Sequence, residues 1–110
     1  MKHMFSAVLV AAITFGMAGI ASAQVEKGKE IFTAQKCTIC HAVGADGNKK
    51  GPLDGIGSKL SADQIREWIT NAPEMAAKAK ADRKPAMKPV TTLSKEDLDA
   101  LISFVASLKK

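Results

Sequence analysis

Apolar residues recur at helical spacing in three stretches of the chain, separated by polar or glycine-rich segments. Near the C-terminal end, Leu98, Leu101, Ile102, Val105 and Leu108 form one stripe. The ends of that stripe carry matching signals. Ser94 can cap the first turn, Glu96, Asp97 and Asp99 sit near the positive end of the helix dipole, and Lys109 and Lys110 lie at the negative end. In the middle of the chain Ile65, Trp68 and Ile69 share one face of a second helix. It starts at Ser61, with Gln64 completing a capping box, and ends at Asn71 and Pro73. A shorter helix over residues 25–34 carries Ile31 and Phe32. Residues 44–57 hold glycine at 44, 47, 51, 55 and 57 together with Pro52, which predicts an irregular loop. The Ala- and Lys-rich residues 74–84 predict a short helix or turn with a solvated charged face. No segment alternates well enough for a strand and no repeat is visible, so the pattern points to an all-α chain.

A different pattern occupies the N-terminus. Lys2 and His3 form a short polar start, Phe5 to Ile20 is an uncharged apolar run, and Ala21-Ser22-Ala23 is a small-x-small cleavage pattern before Gln24. The strongly apolar part is shorter than the roughly 20 residues a membrane span requires. Residues 1–23 are therefore expected to be a secretory signal peptide, leaving residues 24–110 as one exported domain without a membrane anchor, located in the periplasm. In such an oxidising compartment an isolated cysteine pair would ordinarily be a disulfide.

Composition narrows the classes further. At 110 residues, 46% apolar and 25% charged, the chain suits a single globular domain and leaves no room for a two-lobed enzyme. Beyond residue 23 the aromatics are Phe32, Trp68 and Phe104 alone, and two cysteines cannot build a dense disulfide framework. Stability must come from another source. The formal charge is +5; without the leader, 15 basic side chains face 11 acidic ones. The basic residues are scattered among acids with no aromatic interleaving, which argues against nucleic-acid binding.

The chemistry concentrates in Cys37-Thr-Ile-Cys40-His41. Two thiols one helical turn apart can reach the same flat object, and the adjoining imidazole is carried above its face. A haem fits: thiols add to its two vinyl groups as thioethers while the neutral imidazole ligates iron. A thioredoxin-type pair would need a βαβ setting, a zinc site would need a second cluster of ligands, and a plain disulfide would leave His41 without a role. Haem attachment uses all three residues.

With these parts in order, residues 24–110 resemble the class I cytochrome c family. The resemblance rests on Gly28-x-x-x-Phe32, Cys37-x-x-Cys40-His41, Gly51-Pro52, Trp68-Ile69-x-Asn71, Pro85-x-Met87-x-Pro89 and the terminal amphipathic helix. It implies an all-α, small cytochrome c fold, with roughly three to five helices wrapped around one covalently attached haem c. It further implies that the first and last helices cross, Gly28 allowing close approach to an aromatic such as Phe104. The carbonyl of Pro52 is expected to accept the Nδ1 hydrogen of His41 and so fix the ring. Either Leu53 or Ile56 would face the haem. Lys59 is the nearest match to the family's propionate-binding base, and Trp68 would serve either as a donor near a propionate or the methionine side, or as a core aromatic.

The sixth iron position separates electron transfer from catalysis. His41 is the only histidine beyond the leader, which excludes bis-His ligation within one chain of residues 24–110. Met87, Met75 and the lysines remain. Met87 stands between Pro85 and Pro89, whose restricted backbones hold the segment extended and stiff, and it matches the family's Pro-flanked ligand loop. Met75 lies in the Ala-rich segment, and a lysine amine must first lose a proton. His41 and Met87 are thus the expected metal ligands. The implied protein is a non-enzymatic, monomeric carrier of single electrons between redox partners. Lys36, Lys49, Lys50, Lys84 and Lys88 are available to meet acidic docking surfaces. Alternatives are a haem subunit working only when docked to a larger dehydrogenase or oxidase, and a ligand-binding or peroxidatic haem protein with an open sixth site.

Overall fold

The computed structural model describes residues 22–110. The expected leader lies outside the described residues except for Ser22 and Ala23, which belong to the first helix. That helix, α1, covers residues 22–34 and leads through Lys36, in the left-handed region at φ 61°, into a single 3-10 turn, Cys37–Ile39. Two strands follow, β1 at Ala42–Val43 and β2 at Asp46–Gly47, paired antiparallel with Ala42 opposite Gly47. The helices α2 (Ile56–Lys59), α3 (Ala62–Thr70), α4 (Ala72–Ala79) and α5 (Lys95–Ala106) complete the order.

The long helices form for the reasons read in their sequences. Ser61 accepts from the Gln64 N–H at 3.2 Å while the Gln64 side chain accepts from the Ser61 N–H at 2.8 Å, a complete capping box opening α3. Ser94 caps α5 through the Asp97 N–H at 3.2 Å, with Glu96 and Asp97 in the first turn. That helix stops at Ser107, so Lys109 and Lys110 lie just beyond it. Asn71 both ends α3 and precedes α4, in which Pro73 occupies the first turn, where its missing N–H removes no helical bond. The Ala-rich segment is thus a helix that begins two residues before residue 74 and ends at Lys80 in the left-handed region.

Two short features depart from the sequence reading. The β1–β2 hairpin is a pair of strands where none was expected, each too short to show an alternating pattern. The glycine-rich stretch yields α2, entered from Gly55 at φ 84°. This turn is fastened to the far end of α5 by the Gly57 N–H donating to the Leu108 carbonyl at 2.8 Å.

The core lies where α1 and α3 meet α5. Phe32, Ile65, Ile69, Leu101, Ile102, Phe104 and Val105 are buried together. Leu101, 1% exposed, contributes about 1.5–3 kcal/mol by burial alone. A Cβ on Gly28 would overlap the Ala100 carbonyl and the Phe104 Cβ, so only glycine lets α1 approach α5 this closely. The Phe32 and Phe104 rings then meet with centroids 5.4 Å apart at 60°. Lys27–Asp97 at 3.0 Å and Arg66–Asp99 at 2.6 Å tie α5 to its neighbours, each pair worth about 0–1 kcal/mol at these exposures. Among the described residues no helix is long and apolar enough to cross a membrane.

Candidate functional site

The turn at Cys37 folds back on itself: the Cys40 and His41 N–H groups both donate to the Cys37 carbonyl, at 3.2 and 2.9 Å. One turn of backbone therefore carries both thiols and the imidazole. Each of the three is half-buried, and the two cysteines are free thiols. Burial pushes the Cys37 thiol above its ordinary range, helped by neighbouring Cys40 and opposed by a backbone hydrogen bond.

The glycine-rich segment clamps this turn through Asn48. The Asn48 backbone N–H donates to the Thr38 and His41 carbonyls, each at 3.1 Å, and its side-chain amide donates to the Ile39 carbonyl, also at 3.1 Å. Nothing in the sequence reading singled out Asn48, although asparagine after glycine is a recognisable turn signal.

The orientation of His41 comes from the same segment, with one correction. Its Nδ1 lies 3.1 Å from the carbonyl of Gly51, not that of Pro52. The reason is register. Ala42 pairs with Pro52 in a parallel bridge, so the Ala42 N–H donates to the Gly51 carbonyl at 3.0 Å and the Leu53 N–H donates to the Ala42 carbonyl at 2.9 Å. Carbonyls alternate along extended backbone, and the groups facing His41 and Ala42 are those flanking Pro52. Pro52 itself is exposed. Because its partner is a carbonyl oxygen, Nδ1 must donate, which leaves the lone pair of the neutral ring on Nε2. Burial lowers the His41 pKa from the ordinary imidazole value, the Gly51 hydrogen bond works against this, and the Arg83 charge adds to it.

Met87 is half-buried and packs against the core cluster, as do Cys37, Leu53, Ile56 and Leu60. Its segment, residues 81–92, is irregular and is held to the end of α3 by the Val90 N–H donating to the Ile69 carbonyl at 2.8 Å. Met75 sits half-buried on α4. Trp68 is half-buried on α3, beside the buried Ile65 and Ile69, and its indole makes no hydrogen bond among the described residues. Lys59 is exposed at the end of α2. The basic residue that does reach the His41 loop is Arg83, which the sequence reading passed over: a Cβ on Gly51 would overlap its guanidinium.

These residues fit a covalently held haem. The thiols are unpaired and one turn apart, His41 presents Nε2, and a thioether stands at the rim of an apolar cluster. The hairpin beside the motif is an antiparallel pair of two-residue strands, not the βαβ unit that a thioredoxin-like pair requires.

Comparison with known proteins agrees. The family described as Cytochrome c matches residues 25–109. A curated relative, cytochrome c oxidase subunit 2 of Alkalihalophilus pseudofirmus (strain ATCC BAA-2126 / JCM 17055 / OF4), is 27% identical over 92 residues, covering 76% of this chain. The chain spans 25% of that relative's length. No solved structure gives a significant match.

Proposed function

The chain belongs to the cytochrome c family, and from that membership we propose that it is an exported monohaem electron carrier, located in the periplasm, that moves one electron at a time without catalysing a reaction on a substrate. Cys37 and Cys40 would hold haem c by thioether bonds, and His41 Nε2 and Met87 Sδ would ligate its iron. When bound, the haem supplies a one-electron iron couple. The observation that carries the reading is the His41–Gly51 hydrogen bond within a turn bearing two free thiols, since it fixes the tautomer a proximal ligand needs.

The protein's own residues set the rest. A neutral thioether favours ferrous over ferric iron, so Met87 would raise the potential relative to a second imidazole. With Met87 and His41 both engaged, substrate is kept from the metal. The Cys37–His41 turn also offers a docking surface. Ile39 is 64% exposed, its N–H donates to the Lys36 carbonyl, and its own carbonyl accepts from Asn48, immediately before the exposed Lys49 and Lys50. An exposed apolar side chain whose backbone neighbours include lysines suits brief encounters with an acidic partner surface, and the electron-transfer rate constant with such a partner should fall as salt rises.

A second reading is favoured by the likeness to an oxidase subunit: the same domain would act as the electron-entry subunit of a larger oxidase. Copurification with such a complex separates the two. The ligand assignment is tested by the sulfur-to-iron charge-transfer band of the ferric protein. It should disappear in Met87→Ala and survive in Met75→Ala, and the opposite pattern would transfer the role to Met75.

A further inference from the structure

The sequence reading named Lys59 as the nearest match to a propionate-binding base, yet the cation that the structure places beside the His41 loop is Arg83. A Cβ added to Gly51 would overlap both the Arg83 guanidinium and the Cys40 carbonyl, so the guanidinium occupies space that glycine alone leaves free. Gly51 is also the residue whose carbonyl takes two hydrogen bonds, from the Ala42 N–H and from His41 Nδ1. Arg83 stands four positions before Met87, on the same irregular segment. One side chain thus bridges the segment bearing the thioether and the loop that orients the imidazole.

We propose that Arg83 is a positioning residue that joins the Met87 segment to the His41–Gly51 loop and holds a fixed positive charge beside the proximal ligand, raising the iron reduction potential. The inference rests on haem attachment at Cys37 and Cys40 with His41 as ligand. The physical argument is short. Oxidised iron carries one more positive charge than reduced iron, so a nearby fixed cation disfavours the oxidised state. Arg83 belongs to neither ion pair present among the described residues, Lys27–Asp97 and Arg66–Asp99, so no carboxylate in those pairs offsets it. A guanidinium stays charged at any working pH, which makes the contribution independent of pH.

The experiment compares midpoint potentials of the haem-loaded full chain in wild type, Arg83→Gln, Arg83→Met, Arg83→Lys and Lys95→Gln. Arg83→Gln and Arg83→Met should each move the ferrous-to-ferric ratio at fixed poise about threefold toward ferric, a fall of about 30 mV at 59 mV per tenfold. Arg83→Lys should restore most of the difference. Lys95→Gln removes the same net charge from the exposed start of α5 and should leave the potential unchanged. The gap between wild type and Arg83→Gln should narrow at 1 M salt, where the screening length is about 3 Å. Potentials equal in wild type and both neutral variants, or an equal fall in Lys95→Gln, would overturn the proposal. A pyridine haemochrome assay keeps the two readings apart. Wild-type protein without covalent haem refutes the proposed function itself, whereas normal haem with unmoved potentials refutes only the role of Arg83.

Discussion

Where α1 crosses α5, Gly28, Phe32, Ala100, Leu101 and Phe104 are all buried; around the Cys37–His41 turn, by contrast, Cys37, Cys40, His41 and Leu53 are all half-buried. The crossing is held by side chains in contact with side chains: two phenyl rings, a glycine that lets backbones touch, and an aliphatic cluster. The turn is held by main chain, through Asn48, Gly51 and Leu53 bonding to Thr38, His41 and Ala42. Apolar packing is short on that side, and a covalently attached apolar disc would supply it at about 25 cal/mol per Å² buried. The contrast teaches that the crossing brings its own packing while the turn is shaped in advance for a group it must acquire, and that neither half stands alone.

The largest effect should come from removing the anchor. In Cys37→Ala/Cys40→Ala the haem is lost, and we expect a largely unfolded chain by circular dichroism. A fully helical variant with a cooperative melt would break the contrast, since both halves would then be self-sufficient. Next in size is Gly28→Ala, which forces a methyl against the Ala100 carbonyl and should cost about 1–3 kcal/mol in urea unfolding. The axial-ligand spectrum of this variant should be unchanged, because the lesion lies in the other half. Unaltered stability would show that α1 and α5 can move apart at no cost.

Asn48→Ala reverses that pattern. It removes two exposed side-chain hydrogen bonds, one donated to the Ile39 carbonyl and one accepted from the Lys50 N–H, together worth about 1 kcal/mol at the surface, while the turn carrying both cysteines loses part of its clamp. Less complete haem attachment at nearly native stability is the expected result, measured by the ratio of haem to protein. Full attachment would mean that backbone bonds alone hold the turn.

The smallest effect is that of pH. Burial, reinforced by the Arg83 charge and opposed by the Gly51 bond, lowers the His41 pKa on folding. The unfolded chain therefore takes up a proton first as pH falls. The His41 contribution to stability is complete above the ordinary imidazole value of about 6.5 and is lost progressively below it, toward the folded value. In the haem-loaded protein iron ligation would also keep His41 unprotonated in the folded state, so the urea midpoint of that form should be lower at about pH 5.5 than at about pH 7.5. A higher midpoint on the acid side would contradict the sign.

The two regions also differed in how far they could be read in advance. Local signals were legible: the Ser61–Gln64 box, the Ser94 cap, the α5 stripe and the Cys37-x-x-Cys40-His41 run each lie within a few residues of chain, and each is present as expected. The Gly28–Phe104 approach was legible only through family resemblance, because it joins residues far apart in sequence. What escaped was register. Moving the His41 acceptor from Pro52 to Gly51 depends on which carbonyl of a parallel bridge faces inward, and no composition rule encodes that. The two-residue strands and α2 were hidden because glycine at 44, 47, 55 and 57 reads as loop whatever the chain does between those positions. Arg83 escaped because its contact with Gly51 joins positions separated by α2, α3 and α4.

The proposed electron transfer requires that sulfur at positions 37 and 40 bind a porphyrin covalently. Intact mass spectrometry of the purified protein tests it most directly. Polypeptide lacking residues 1–23 and carrying one haem that denaturation does not release is the predicted result; bare polypeptide, or a haem that washes away in denaturant, would contradict it.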